Sequence, residues 1–170
     1  QELIGTFEGQ PAAVTLALPT VHDLAIGEGT TVALIDGGVD YLHPVFTLTS
    51  GEVVSRYDYL EEDSLAQPDS IGSCAAHGTF VAATLQLVAP GTDIYVYKVL
   101  DTAGQGSAFT IATAVLQAIA DSVSVINLSL GMTRIDENLD EALRIARQAN
   151  IPIVASAGND STSLNSIFPF

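Results

Sequence analysis

Thr31-Val32-Ala33-Leu34-Ile35, followed by Asp36-Gly37-Gly38, is the stretch on which the reading of the fold turns. An apolar, β-branched run without polar alternation is the pattern of a strand covered on both faces, and the two glycines stop it. A carboxylate is thereby set at the strand's carboxyl tip. Val53 to Tyr59, Ile94 to Leu100, Val123 to Leu128 and Ile151 to Ala155 read as further strands. Helices are predicted between them, from His77 to Leu87 with a stop at Pro90-Gly91, from Phe109 to Ala120, and from Asp136 to Ala149. The second is apolar on nearly every side, which predicts a central helix. The third carries Leu139, Ala142, Leu143, Ala146 and Ala149 on one stripe, acids in its first turns and Arg144 and Arg147 late, as the helix dipole favours.

Strands alternating with helices at this spacing predict an α/β domain of three layers, with a mostly parallel sheet, right-handed crossovers and helices on both faces. Residues 1–26 read as an amino-terminal arm without a clear period, and residues 27–170 as the domain. The 170 residues are 48% hydrophobic and 15% charged, enough to bury a sizeable core, which excludes disorder and fibrous repeats. Twenty acidic residues against five basic ones give a formal charge of −15, so phosphate backbones and anionic membranes are excluded as partners. Every apolar run is shorter than the roughly 18 residues a membrane-spanning helix needs, and the segment after Gln1 does not have the form of a targeting peptide. A soluble chain is expected. The lone Cys74 cannot form an internal disulfide, which leaves the redox compartment open.

Ligands of such sheets bind beyond the carboxyl ends of the strands. Asp36, Ser129-Leu130-Gly131 and Asn159 each follow a strand, and the helix opened by His77 begins at the same edge. A strand-end carboxylate and a helix-start imidazole make chemical sense together where a neutral histidine is held in one tautomer and stabilised as it takes a proton. Taken singly, each has a structural explanation: a turn residue or helix cap for Asp36, a satisfied structural histidine for His77.

The surrounding strings point to chemistry. Ala33-Leu34-Ile35-Asp36-Gly37-Gly38-Val39-Asp40, His43-Pro44, His77-Gly78-Thr79-Phe80-Val81-Ala82-Ala83-Thr84, Val88-Ala89-Pro90-Gly91, Ile126-Asn127-Leu128-Ser129-Leu130-Gly131 and Ala155-Ser156-Ala157-Gly158-Asn159 stand in the order found in the subtilases, the subtilisin-like serine peptidases. The chain resembles that family from about Gly27 onward. The resemblance implies a subtilisin-like fold, incomplete at its carboxyl end, and Asp-His-Ser acyl transfer on peptide bonds. Asp36 then resembles the orienting carboxylate and His77 the general base. Asn159 resembles the side-chain donor of the oxyanion hole, whose loss costs a member of that family about 10²- to 10³-fold in rate. Gly104-Gln105-Gly106-Ser107 and Ser129-Leu130-Gly131 resemble the two edges that hold an extended polypeptide substrate as an added strand.

The departures carry as much information. The family's nucleophile lies in a Gly-Thr-Ser string, which does not occur before Phe170. Ser129 and Ser156 do not replace it, so the nucleophile is expected from a missing segment or a second polypeptide, and these residues alone are expected to be close to inactive. Phe80 and Ala83 stand where the family has a second His and a Gly, and altered packing around His77 follows. Val45 stands at a calcium-ligating Asp, and the stretch from His77 to Pro90 is too short for the family's metal loop. That calcium site is therefore expected to be missing, no other cofactor is implied, and Glu61-Glu62-Asp63 reads as a solvated face. His43 reads as structural, His22 as a surface pair with Asp23, and Cys74 as a small buried residue open to heavy-metal modification. Secretion is implied by the resemblance alone. Two other readings stay open: a subtilase-like pseudo-peptidase that binds protein without cleaving it, and an unrelated α/β binding domain.

Overall fold

The computed structural model describes residues 11–70, 74–132 and 136–158. The run that ends at Asp36 forms β1 (Thr31–Asp36), which pairs in parallel with β3 (Asp93–Lys98) on one side and β4 (Val125–Leu128) on the other. β2 (Val53–Asp58) lies outside β3 and β5 (Ile153–Ala155) outside β4, giving the order β2-β3-β1-β4-β5 with every pairing parallel. The register sets Thr31 opposite Asp93 and Asp36 opposite Lys98. Successive connections leave β1 toward β2 and leave β4 toward β5, so the strand order reverses between β1 and β4. A crevice opens at such a reversal, beyond the strand ends.

Strand alternation divides the core in two. Leu34, Ile94 and Val96 pack with Ala82, Val81 and Leu85 of α3 (His77–Val88) on one face. Ala33, Ile35, Tyr97, Ile126 and Leu128 pack on the other face with α4 (Ala108–Ala120) and α5 (Glu137–Gln148). The result is the three-layer α/β arrangement read from the sequence. The helix starts are fixed by side chains: Ser107 accepts from the Thr110 N–H at 2.9 Å, and Asp136 from Asn138 and Leu139 at 3.0 and 3.1 Å. Caps of this kind contribute about 1 kcal/mol each.

Two expectations need correction. α4 is not buried all round: Phe109 and Leu116 are 70% and 44% exposed, while Ile111, Ala112, Ala114, Val115 and Ala118 are buried. Its contact face carries three alanines beside Ile111 and Val115, which lets the sheet and α5 approach closely, while Phe109 and Leu116 point away. The amino-terminal arm contains two short helices, α1 (Pro11–Thr15) and α2 (Leu18–His22), separated at Ala17 in the left-handed region. The partner of His22 is the Val88 carbonyl rather than Asp23: its Nε2 lies 3.0 Å from that oxygen and ties the arm to the end of α3.

Candidate active site

The site starts from a steric fact about α3. A Cβ at Gly78 would lie 2.3 Å from the Gly38 carbonyl oxygen and 3.1 Å from Asp36 Oδ1, so only glycine lets the first helical turn rest on the end of β1. The Asp40 N–H donates to Thr79 Oγ1 at 2.9 Å and fastens the contact from the side. The preceding residue, His77, is thereby carried to Asp36, with Nδ1 2.9 Å from both carboxylate oxygens.

Asp36 is fully buried, whereas the His77 side chain is 42% exposed. The Gly37 N–H donates to Asp36 Oδ1 at 2.7 Å. Burial pushes the Asp36 carboxyl above the ordinary carboxylate range, against the opposing pull of His77 and the Gly37 N–H. An imidazole whose Nδ1 is held on a carboxylate keeps Nε2 for a proton on the other side, the geometry a general base requires.

His77 opens into a cavity of about 580 Å³ that is also lined by Gly104, Gln105, Gly106, Ser129, Leu130 and Gly131. The two segments are built differently. Asp101 Oδ1 accepts from the Ala103 and Gln105 N–H groups, each at 2.9 Å, and a Cβ at Gly106 would meet the Val99 carbonyl oxygen at 2.4 Å. Ser129 Oγ accepts from the Asn127 amide at 2.9 Å, and Ser156 ties β5 to this segment by donating to the Leu130 carbonyl at 3.2 Å. Ser107 is occupied as the cap of α4 and does not line the cavity. Asn159 lies outside the described residues. Phe80 and Ala83 line a separate cavity with Asp40, His43 and Asp69, so the expected disturbance around His77 falls on that other space. His43 caps the short turn Pro44–Leu48, its Nδ1 accepting from Val45 at 3.3 Å.

Some features of this edge escaped the sequence reading. Lys98, 3% exposed, stands 3.0 Å from Asp58 Oδ2 and 3.4 Å from Asp69 Oδ1, one strand from Asp36. Burial alone would lower its pKa, but the two carboxylates outweigh burial and hold it above its ordinary value. A lysine inside a strand buried on both faces was the available signal, because such a charge requires a buried partner. Leu100, Ala108, Ile111, Met132 and Cys74 complete the lining of the His77 cavity.

The fold and site place the chain in the class of α/β domains whose parallel sheet sets an acid-paired imidazole at its carboxyl edge, beside a groove flanked by two segments. Residues 27–168 match the model of the Subtilase family, peptidase family S8, and the chain belongs to that family. It is 33% identical over 142 residues to the thermophilic serine proteinase of Bacillus sp. (strain AK1), covering 79% of this chain and 34% of that protein. It is 32% identical over 151 residues to thermitase of Thermoactinomyces vulgaris, covering 83% of this chain and 51% of thermitase. Among solved structures, a cold adapted subtilisin-like serine proteinase aligns with a TM-score of 0.66 at 31% identity, covering 79% of this chain and 48% of the other. A lanthipeptide protease aligns at 0.71 and 28% identity, covering 86% and 44%. The fold is subtilisin-like, and the chain spans about a third to a half of the length of these relatives.

Proposed function

We propose that these residues supply the acid-base half of a serine endopeptidase site that hydrolyses extended polypeptides. The observation that carries this reading is the Asp36–His77 pair at 2.9 Å, opening into the same cavity as the two glycine-containing segments. In this reading Asp36 orients the imidazole and stabilises the imidazolium. His77 takes the proton of a nucleophilic serine and later returns it to the leaving amine, and Asn159 donates to the oxyanion. The backbones of Gly104-Gln105-Gly106-Ser107 and Ser129-Leu130-Gly131 hold the substrate between them as an added strand. The serine comes from a segment beyond these residues or from a second polypeptide. The site is proposed to work without the family's usual calcium, since Val45 offers an isopropyl group where an oxygen donor is needed and α3 runs from His77 to Val88 without an inserted loop. Secretion is proposed with it, on the family resemblance alone.

Labelling with a serine-directed fluorophosphonate tests the reading. The full preparation is expected to take the label, and His77→Ala to lower the labelling rate by about 10³-fold or more. A full preparation that binds an extended peptide yet takes no label would instead establish the pseudo-peptidase, a binding module with a vestigial site.

A further inference from the structure

Cys74 does not sit apart from the Asp36–His77 pair. One ligand atom from each of Asp36, Cys74 and His77 lies within 4.8 Å of the others. The His77 N–H donates to the Cys74 carbonyl at 3.0 Å, so the turn that enters α3 fixes the spacing of thiol and imidazole. The sulfur is pressed toward the end of β1, 2.9 Å from where a Cβ on Gly37 would stand. Asp36 is 0% and Cys74 8% exposed, while His77 opens to the groove. Cys74 and His77 thus line the groove, and Asp36 lies buried behind them.

Carboxylate, thiolate and imidazole are ligands of zinc-type ions, which bind them tetrahedrally at about 2.0–2.3 Å, with donor atoms about 3.3–3.8 Å apart. From at most 4.8 Å this asks for a contraction of up to about 1.5 Å, while the Asp36–His77 contact at 2.9 Å would open by about 0.4 Å. A sulfur and a nitrogen in the set disfavour calcium and magnesium, which take oxygen ligands. We propose that Asp36, Cys74 and His77 form a binding site for a thiophilic divalent cation of the zinc type, with its remaining position toward the groove. A bound ion would occupy the carboxylate and the imidazole together and so switch off the base.

A nucleophilic role for the thiol is the competing use of the same atoms. Burial first, and then Asp36, Asp101 and Asp69, push the Cys74 thiol up, which leaves little thiolate to attack a substrate. The same negative surroundings favour a dication, which takes the proton's place on sulfur as that proton passes to solvent.

The binding part of the proposal stands on the three residues, and the inhibitory part rests on the protease reading. Titration of the full chain with cobalt(II) is expected to give one site with a thiolate-to-metal charge-transfer band in the near ultraviolet. Cys74→Ser is expected to abolish the band. Zinc calorimetry is expected to show at least tenfold weaker binding in both Cys74→Ser and His77→Ala, and unchanged binding in the surface control Glu61→Gln/Glu62→Gln, with circular dichroism confirming the fold of each. A folded wild-type chain without the band, or zinc affinity unchanged in Cys74→Ser, would overturn the site. Saturating zinc is expected to block fluorophosphonate labelling of the full preparation, and labelling at an undiminished rate would overturn the inhibitory role. Because binding is read without turnover, a preparation that takes no label bears on the protease reading alone.

Discussion

Two carboxylates on opposite faces of the sheet have been given opposite surroundings. Asp36 is fully buried with one backbone N–H and an imidazole that is itself titratable, and burial dominates, pushing its carboxyl up. Asp121, just after α4, accepts from Arg56 Nε at 2.9 Å, the Tyr97 hydroxyl at 2.7 Å and the Gln117 amide at 3.0 Å. Burial pushes the Asp121 carboxyl up as well, but the guanidinium, hydroxyl and amide outweigh it and hold the group below its ordinary range. Arg56 is itself placed over the Tyr95 ring, 4.8 Å from its centroid, which keeps the cation where Asp121 needs it. A carboxylate given a permanent cation and several donors is settled and holds structure together. One left with a single backbone donor and an imidazole stays raised by its burial, and it is the imidazole partner of this one that lines the groove.

That contrast makes the consequences of substitution separable. The largest effect belongs to Asp36→Asn, expected to lower hydrolysis by the completed protease about 10⁴-fold by releasing the imidazole's tautomer. Its melting temperature should not fall, since a buried charge is removed. Next comes Gly78→Ala, whose methyl group must displace the first turn of α3 from the Gly38 carbonyl. A rate loss of about 10²-fold is expected with the circular dichroism spectrum retained, because misplacement of the base by about 1 Å suffices for it. Asp121→Asn should do the reverse of Asp36→Asn, costing about 1–3 kcal/mol in denaturant unfolding at neutral pH with fluorophosphonate labelling intact.

The pH dependence sharpens the same comparison. A carboxyl lowered in the folded state contributes stability above the unfolded value near 3.8, and that stability is lost as pH falls through the folded value. The unfolding free energies of wild type and Asp121→Asn should therefore converge in acid. Asp36 runs the other way: with its carboxyl raised, stability falls as pH climbs from near 3.8 through the raised value, and Asp36→Asn should remove that fall. The smallest effect is expected of Arg56→Ala, below about 1 kcal/mol, because its side chain is 37% exposed and water screens the pair.

What could be read from the letters follows the range of the forces involved. The apolar run ending at Asp36-Gly37-Gly38 and the acid-to-base gradient along Glu137–Gln148 are local patterns, and both elements stand where they were expected. The surface on which α4 turns its alanines was not legible, because an all-apolar helix does not say which neighbours it will meet. The convergence of Cys74 on Asp36 was equally hidden. Nearness to His77 along the chain was visible, but the approach to β1 depends on Gly78 fitting under the Gly38 carbonyl, a contact between residues 40 apart in sequence. Lys98 was a signal in its strand that the sequence reading passed over, and its partners Asp58 and Asp69, on β2 and the loop beyond it, could be named only from the fold.

Lys98 also has a practical meaning. It is the sole lysine of these 170 residues, and its ammonium group is enclosed by two carboxylates. Succinimidyl esters, aldehydes and other amine-seeking reagents therefore find no side chain to attack while this domain stays folded. Uptake of such a tag at position 98 becomes a direct gauge of unfolding, and immobilising the protein calls for carboxyl-directed coupling instead.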